Sequence, residues 1–216
     1  MLIISLFAIT AVMGYLGRNV QMSYDYAKVV PPNDPDMVFY QDFKDTFGED
    51  GNIMAVGMKD SSIFTLQKFN RLKQLRDDLA KMEGITQVVS IHNLPAIKKN
   101  DSTRTFEAEL IFKNNPTTQK ELDSLLAVFH NTKFYDGQFV NTKNGSMLFL
   151  VTMDDDFLNS KKRISLVEDL MGRGAQFEEN TQIQLYYAGL PYLRSVLAGK
   201  VKAELDVFLV IFVDIT

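Results

Sequence analysis

Three consecutive carboxylates, Asp154, Asp155 and Asp156, are the residues whose types and spacing most directly suggest chemistry, because adjacent carboxylates can hold a divalent cation. Consecutive residues at the end of a strand point to alternate sides, however, and an Asp ahead of a helix caps its free amides and complements its dipole. A cap is therefore the expected role, and no metal site is expected. The two histidines, His92 and His130, stand on a strand exit and a helix end with no second ligand at metal spacing, so both are expected to be satisfied core or surface residues. Asp214 differs in kind, since an ionisable residue inside a membrane span is a functional candidate. It lies two residues from Thr216, which leaves a ragged or cut end as the competing explanation. No G-x-S-x-G, Walker loop, H-E-x-x-H or G-x-G-x-x-G occurs. Neither an enzyme nor a bound cofactor is expected.

Composition narrows the classes further. A net charge of -4 offers no electrostatic attraction to nucleic acid, and Lys and Arg are scattered along the chain instead of gathered in a stripe. Nucleic acid is set aside as a partner. With no cysteine, disulfide frameworks, thiolate zinc sites and cysteine nucleophiles are all excluded.

The elements that must position any site alternate in type. Pro31, Pro32 and Pro35 precede a short helix over Pro35–Phe47, with Phe39, Tyr40, Phe43 and Phe47 at helical spacing and Gly48 ending it. NIMAVGMKD reads as a strand. The helix after it places Phe69, Leu72, Leu75, Leu79 and Met82 on one face and is capped by Gly84, and ITQVVSIH is a second strand. The pattern returns as the strand GSMLFLVTMDD, a helix with Ile164, Val167, Leu170 and Met171 inward, and the strand TQIQLYYAGLP. Gly51–Pro95 and Gly145–Pro191 thus share an initial Gly, an acidic turn and a Leu-Pro exit, which is the signature of an internal repeat. Between them lie a strand, TFEAELIF, and a helix from Thr117 to Phe129 with Leu122, Leu125, Leu126 and Phe129 in one stripe. The expected class is α+β, with duplicated split βαβ, ferredoxin-like subdomains.

Apolar segments bracket this domain. Met1–Gly17 carries no charge in seventeen positions and is expected to be an uncleaved membrane helix, residues 1–18. A signal peptide or signal anchor is the alternative, although neither a basic leader nor a small-x-small cleavage site is evident. Arg18 runs against the positive-inside rule if its side faces outward, a conflict that a basic leader before Met1 would remove. At the other end, a helix opening at Pro191 runs into the apolar residues Val207–Val213, too few for a span of roughly 20. Residues 206–216 are expected to be the start of a second span that has been cut, with residues 19–205 as the domain between.

A span followed by VPPNDPDMVFYQDFKDTFGEDG, then paired strand-helix-strand units, then YYAGLPYLRSVLAGKVKAELDVFLVIFV, resembles the first membrane helix and porter domain of RND-superfamily exporters. The MMPL-like or hopanoid-transporter-like branch is the most similar. The carriers are the Pro-Asp-Pro segment leading to TFGEDG, the strand directly after it, and AGLP before the last helix. The resemblance implies proton-driven export from a bacterial inner membrane, with the porter domain on the periplasmic side handling lipid-like or hydrophobic substrates. It also implies the remainder of a transporter chain and membrane lipids as partners, and a possible homo-oligomer. The family has about a dozen spans, and its proton-relay acids lie in a central helix with no counterpart here. Asp214 does not correspond to them.

Under that resemblance a cleft between the two halves would be lined by aromatics that the helix faces leave over: Phe134, Tyr135, Phe139, Tyr186 and Tyr187. Alternation requires one of Tyr186 and Tyr187 to face away from the core. The rival class is an envelope domain held by one N-terminal anchor, which binds a ligand or partner and transports nothing.

Overall fold

The computed structural model describes residues 33–48, 50–100, 104–132, 134–135, 137–141 and 144–215. Before these it describes Ser5, Ile9, Thr10, Val12, Met13, Tyr15 and Pro31 singly; of residues 98, 100, 202, 203 and 205–215 it describes the backbone alone. Most of the expected first span therefore lies outside the described residues. Those within it, Ser5, Ile9, Thr10, Val12, Met13 and Tyr15, are helical and exposed.

Helix α1, Pro35–Phe47, begins where the Asp34 carboxylate accepts the Asp36 amide and ends at Gly48. Strand β1, Ile53–Lys59, leads through a 3-10 turn, Ser61–Phe64, into α2, Leu66–Ala80. Strand β2, Ile85–Val89, closes this first unit. A hairpin follows, β3 (Pro95–Asn100) against β4 (Thr105–Leu110), then α3, Gln119–Asn131, and the two-residue strand β5, Val140–Asn141. The second unit is β6 (Ser146–Met153), a single turn α4 (Asp155–Leu158), α5 (Lys162–Thr181) and β7 (Leu185–Ala188). Helix α6, Leu190–Ile215, completes the chain. The class is mixed α+β, as the alternation of periods requires.

The two strand-helix-strand units do not build separate sheets. They interleave in one, with order β2-β6-β1-β7 and β5 paired to β6. Every pairing is antiparallel, so β1 and β2 run parallel to each other with β6 between them, and β6 and β7 run parallel with β1 between them. Each unit alone is split open, and the other fills the gap. An expected cleft between two halves has no place in this arrangement, because the halves are joined through backbone hydrogen bonds. TFEAELIF joins not this sheet but its own hairpin with β3, whose strand character the sequence pattern did not disclose.

One face of the sheet carries the core. Met54, Val56 and Met58 of β1 and Met147, Phe149, Val151 and Met153 of β6 alternate inward. They meet Phe69, Leu72, Leu75 and Leu79 of α2 and Leu166, Val167, Leu170 and Phe177 of α5. Full burial of each such side chain is worth about 1.5–3 kcal/mol, which is what fixes the sheet's register. Helix α5 runs through Gly172 and Gly174 to Thr181, beyond the end its sequence pattern predicts, and starts only at Lys162, because the residues DFL that the pattern puts in the same helix form the separate turn α4; Ile164 and Met171 sit at the rim of its buried face. Helix α3 adds Leu122, Leu126 and Phe129. It also caps its neighbour: Gln119 accepts the Leu66 amide at 2.8 Å through Oε1, at the start of α2, where Thr65 supplies no side-chain cap.

Where β7 hands over to α6, Gly189 adopts φ +110° against the first residue of β1. A Cβ there would lie 2.5 Å from the Ile53 carbonyl oxygen, so only glycine fits. The turn Asp50–Asn52 and β1 both pack on α6. The chain thus enters the domain and leaves it at one point.

Among the described residues no helix is long and apolar enough to cross a membrane. The backbone of α6 nevertheless continues as one helix from Leu190 to Ile215, as its sequence pattern predicts, and Asp214 lies in its last turn. Leu193, Leu197 and Val201 project into solvent, while Pro191, Tyr192 and Ser195 hold the helix to the domain.

Candidate functional site

The face of the sheet opposite the helices is open. Cross-strand partners share a face, so Gly57, Leu148 and Tyr186, aligned across β1, β6 and β7, all lie on it, as do Ala55 and Leu150 one step along. At the Lys59 end of β1 this face deepens into a groove of about 430 Å³. Its floor is Gly57 and Leu148, one wall is Tyr186, the other is Phe139 with the Gly137–Gln138 turn, and Lys59, Asn141 and Ser146 stand at its polar end. Gly57 matters because it has no side chain to fill the floor: a Cβ there would touch nothing nearer than the Tyr186 carbonyl at 3.9 Å.

Local hydrogen bonds hold the walls. The Leu148 amide donates to the Phe139 carbonyl at 2.8 Å, and the Gly137 amide to the Val140 carbonyl at 2.8 Å. The Tyr186 hydroxyl donates to Gln184 Oε1 at 3.1 Å, leaving the ring face free. An apolar cleft with a few polar groups at one end is a usual form for a small-molecule site. A second depression, of about 410 Å³, is lined by Lys81, Glu83, Lys162, Asp169 and Arg173 with Phe157, and its charges of both signs make it a solvated surface hollow.

Of the five aromatics expected at a cleft, the structure brings two together. Phe139 and Tyr186, which is 56% exposed, form the groove walls. Tyr135 is turned inward, stacked 5.9 Å from Phe129, and its hydroxyl donates to the Pro95 carbonyl at 2.8 Å. Burial raises its pKa. Tyr187 faces the core beside Val56, with its hydroxyl against Gly174 of α5 and its ring 5.9 Å from Tyr192. Burial, then the Glu178 carboxylate, pushes its pKa up to about 12. Phe134 is 67% exposed and edge-on to Tyr135, outside the groove. The correction is one of alternation and closure: Tyr187 lies one residue out of phase with the open face, and Tyr135 seals the end of α3. Gly57, Lys59 and Leu148 escaped the sequence reading. The signal was there, since β6 reads SMLFLVTM with Leu148 and Leu150 on the face that a one-sided sheet would make polar.

The other candidates take structural roles. The Asp154 carboxylate accepts the Asp156 amide at 2.9 Å and caps α4, while Asp155 accepts from Asn52 Nδ2 at 3.4 Å. Among the described residues no group of three His, Asp or Glu side chains is placed to hold a metal ion. His92 is buried with its ring 4.4 Å from that of Phe69, and its amide donates to Ser90 Oγ. Burial, aided by Arg76, pushes its pKa down to about 3. His130 lies exposed at the end of α3, edge-on to Phe129.

No protein-family model matches this chain, and no curated protein matches it.

Proposed function

We propose that this chain is the porter portion of a proton-driven RND-type exporter, with its domain on the periplasmic side of a bacterial inner membrane and lipid-like or hydrophobic molecules as cargo. The observation that carries the reading is the contact of Gly189 with Ile53. A domain inserted between two membrane helices must receive and return the chain on one side, and in sequence the uncharged Met1–Gly17 stretch precedes that junction and the apolar end of α6 follows it. Strand order β2-β6-β1-β7 supports a single ferredoxin-like unit made of two interleaved halves. The open sheet face supplies what a hydrophobic cargo needs: an apolar groove at the end of β1 remote from Ile53, flanked by Phe139 and Tyr186.

Export is tested in cells that carry the gene, loaded with a fluorescent acylated dye. Extrusion that stops on collapse of the proton gradient and is slowed by Leu148→Asp is the expected result. Equal extrusion from cells lacking the gene would sink the proposal.

A further inference from the structure

Helix α1 contributes nothing to the core of the domain that follows it. None of its residues is buried, and it carries four aromatics in thirteen positions. Phe39, Tyr40, Phe43 and Phe47 are 73%, 53%, 48% and 73% exposed. At 100° per residue they fall within a 100° arc of the helix, which Asp36 of the first turn shares, while Gln41, Asp42 and Asp45 fall outside it. Phe43 and Phe47 are already in ring contact, 4.7 Å between centroids, and Lys44 Nζ lies 5.7 Å from the Tyr40 ring centre. Water is a poor solvent for such a stripe, and the domain core does not use it.

We infer that α1 lies in the membrane interface, with its aromatic stripe at the boundary between headgroups and acyl chains. The inference rests on the membrane reading above and adds to it a surface and its occupant. Three observations select that occupant over a protein partner. Helix α1 ends at Phe47, and the turn Asp50–Asn52 directly after it packs on α6, so α1 is attached at the point where the chain enters and leaves the domain. In sequence, α1 lies between the uncharged Met1–Gly17 stretch and the first strand of the domain. The stripe is made of Phe and Tyr, residues that favour the interface, and Lys44 can extend along the Tyr40 ring toward the headgroups. A helix of 13 residues, about 20 Å long, fits in the plane of the interface and is too short to cross. Three acids, Asp36, Asp42 and Asp45, against one base, Lys44, select a zwitterionic over an anionic surface.

The chain contains no tryptophan, so one introduced Trp reports one place. Phe43→Trp and, as the control, Phe134→Trp are placed in the full chain and mixed with phosphatidylcholine vesicles whose acyl chains are brominated at shallow or deep positions. The expected result is a blue-shifted Phe43→Trp emission, quenched at least twofold, more by shallow than by deep bromines, with Phe134→Trp unquenched. Replacing a third of the lipid with phosphatidylglycerol weakens the quenching. A chain that floats with the vesicles while Phe43→Trp stays unquenched overturns the inference and leaves the exporter reading standing. A chain that does not float removes both. A blue shift that appears without lipid and grows with protein concentration assigns the stripe to a second copy of the chain and also overturns the inference. Since α1 contributes nothing to the core, neither the stripe nor its Trp variant controls folding.

Discussion

Gly189 sits against Ile53 so closely that a single methyl group would reach to 2.5 Å from the Ile53 carbonyl oxygen, and this contact joins the first strand of the sheet to the start of the last helix. Its φ of +110° adds backbone strain for any other residue. Gly189→Ala is expected to cost about 1–3 kcal/mol of stability. Urea unfolding followed by circular dichroism measures it; a midpoint equal to the parent's would mean that the junction relaxes freely.

Groove and core aromatics respond differently to truncation. Tyr186→Ser and Leu148→Asp are expected to weaken binding of a fluorescent hydrophobic probe several-fold with little change in stability, because both side chains lie on the open face. Tyr187→Ser is expected to leave probe affinity intact and to destabilise the fold by about 2–4 kcal/mol, since it empties a half-buried site between Gly174 and Tyr192. Probe binding that falls only in Tyr187→Ser would place the site elsewhere.

His92 predicts an acid-side loss of stability. Folded, it stays neutral down to about pH 3, whereas its unfolded value is 6.5. The unfolded state therefore binds the extra proton between these limits, and stability, complete above 6.5, declines as the pH falls from there toward 3. Arg76 and Lys73 push in the same direction as burial; a hydrogen bond with the Phe69 backbone and, less, Asp77 oppose them. His92→Gln is expected to flatten the fall in unfolding midpoint between pH 7 and 5. An unchanged slope would assign the acid sensitivity to other groups.

Asp154 is a cap, and its replacement tests that role against a cation site. Asp154→Ala is expected to lower stability by about 1 kcal/mol, the usual worth of an N-cap. The decrease should be the same with and without a chelator. A parent protein that loses its thermal midpoint on chelation would restore the cation role to Asp154, Asp155 and Asp156.

Helix α2 borrows its cap from α3. Gln119 takes the Leu66 amide through Oε1 and gives Nε2 hydrogens to the Phe64 carbonyl and to Asp123. Gln119→Ala is expected to cost about 1 kcal/mol and to speed hydrogen exchange at Leu66. Protection there equal to the parent's would show that another group caps α2.

By itself the sequence determined the main helices and strands of the two units and their inward faces, though not β3 or β5. Phe69, Leu72, Leu75 and Leu79 recur at the helical period, and Asp154 stands between β6 and a helix, because periodicity and capping are local properties written in neighbouring residues. The same locality makes the internal pairing of Gly51–Pro95 with Gly145–Pro191 visible as two strand-helix-strand units. Tertiary structure alone decided that these units share one sheet, since pairing β6 between β1 and β2 joins residues some sixty to a hundred positions apart and no local pattern encodes it. It likewise decided that Tyr186 faces the groove and Tyr187 the core. Alternation demands that the two differ, but which one turns inward depends on register with Gly57 and Val56 across the strand pair. Tyr135 is the same case: an aromatic beside a turn has no inward side until α3 and the start of β3 close over it, and the Pro95 carbonyl that takes its hydroxyl lies forty residues away.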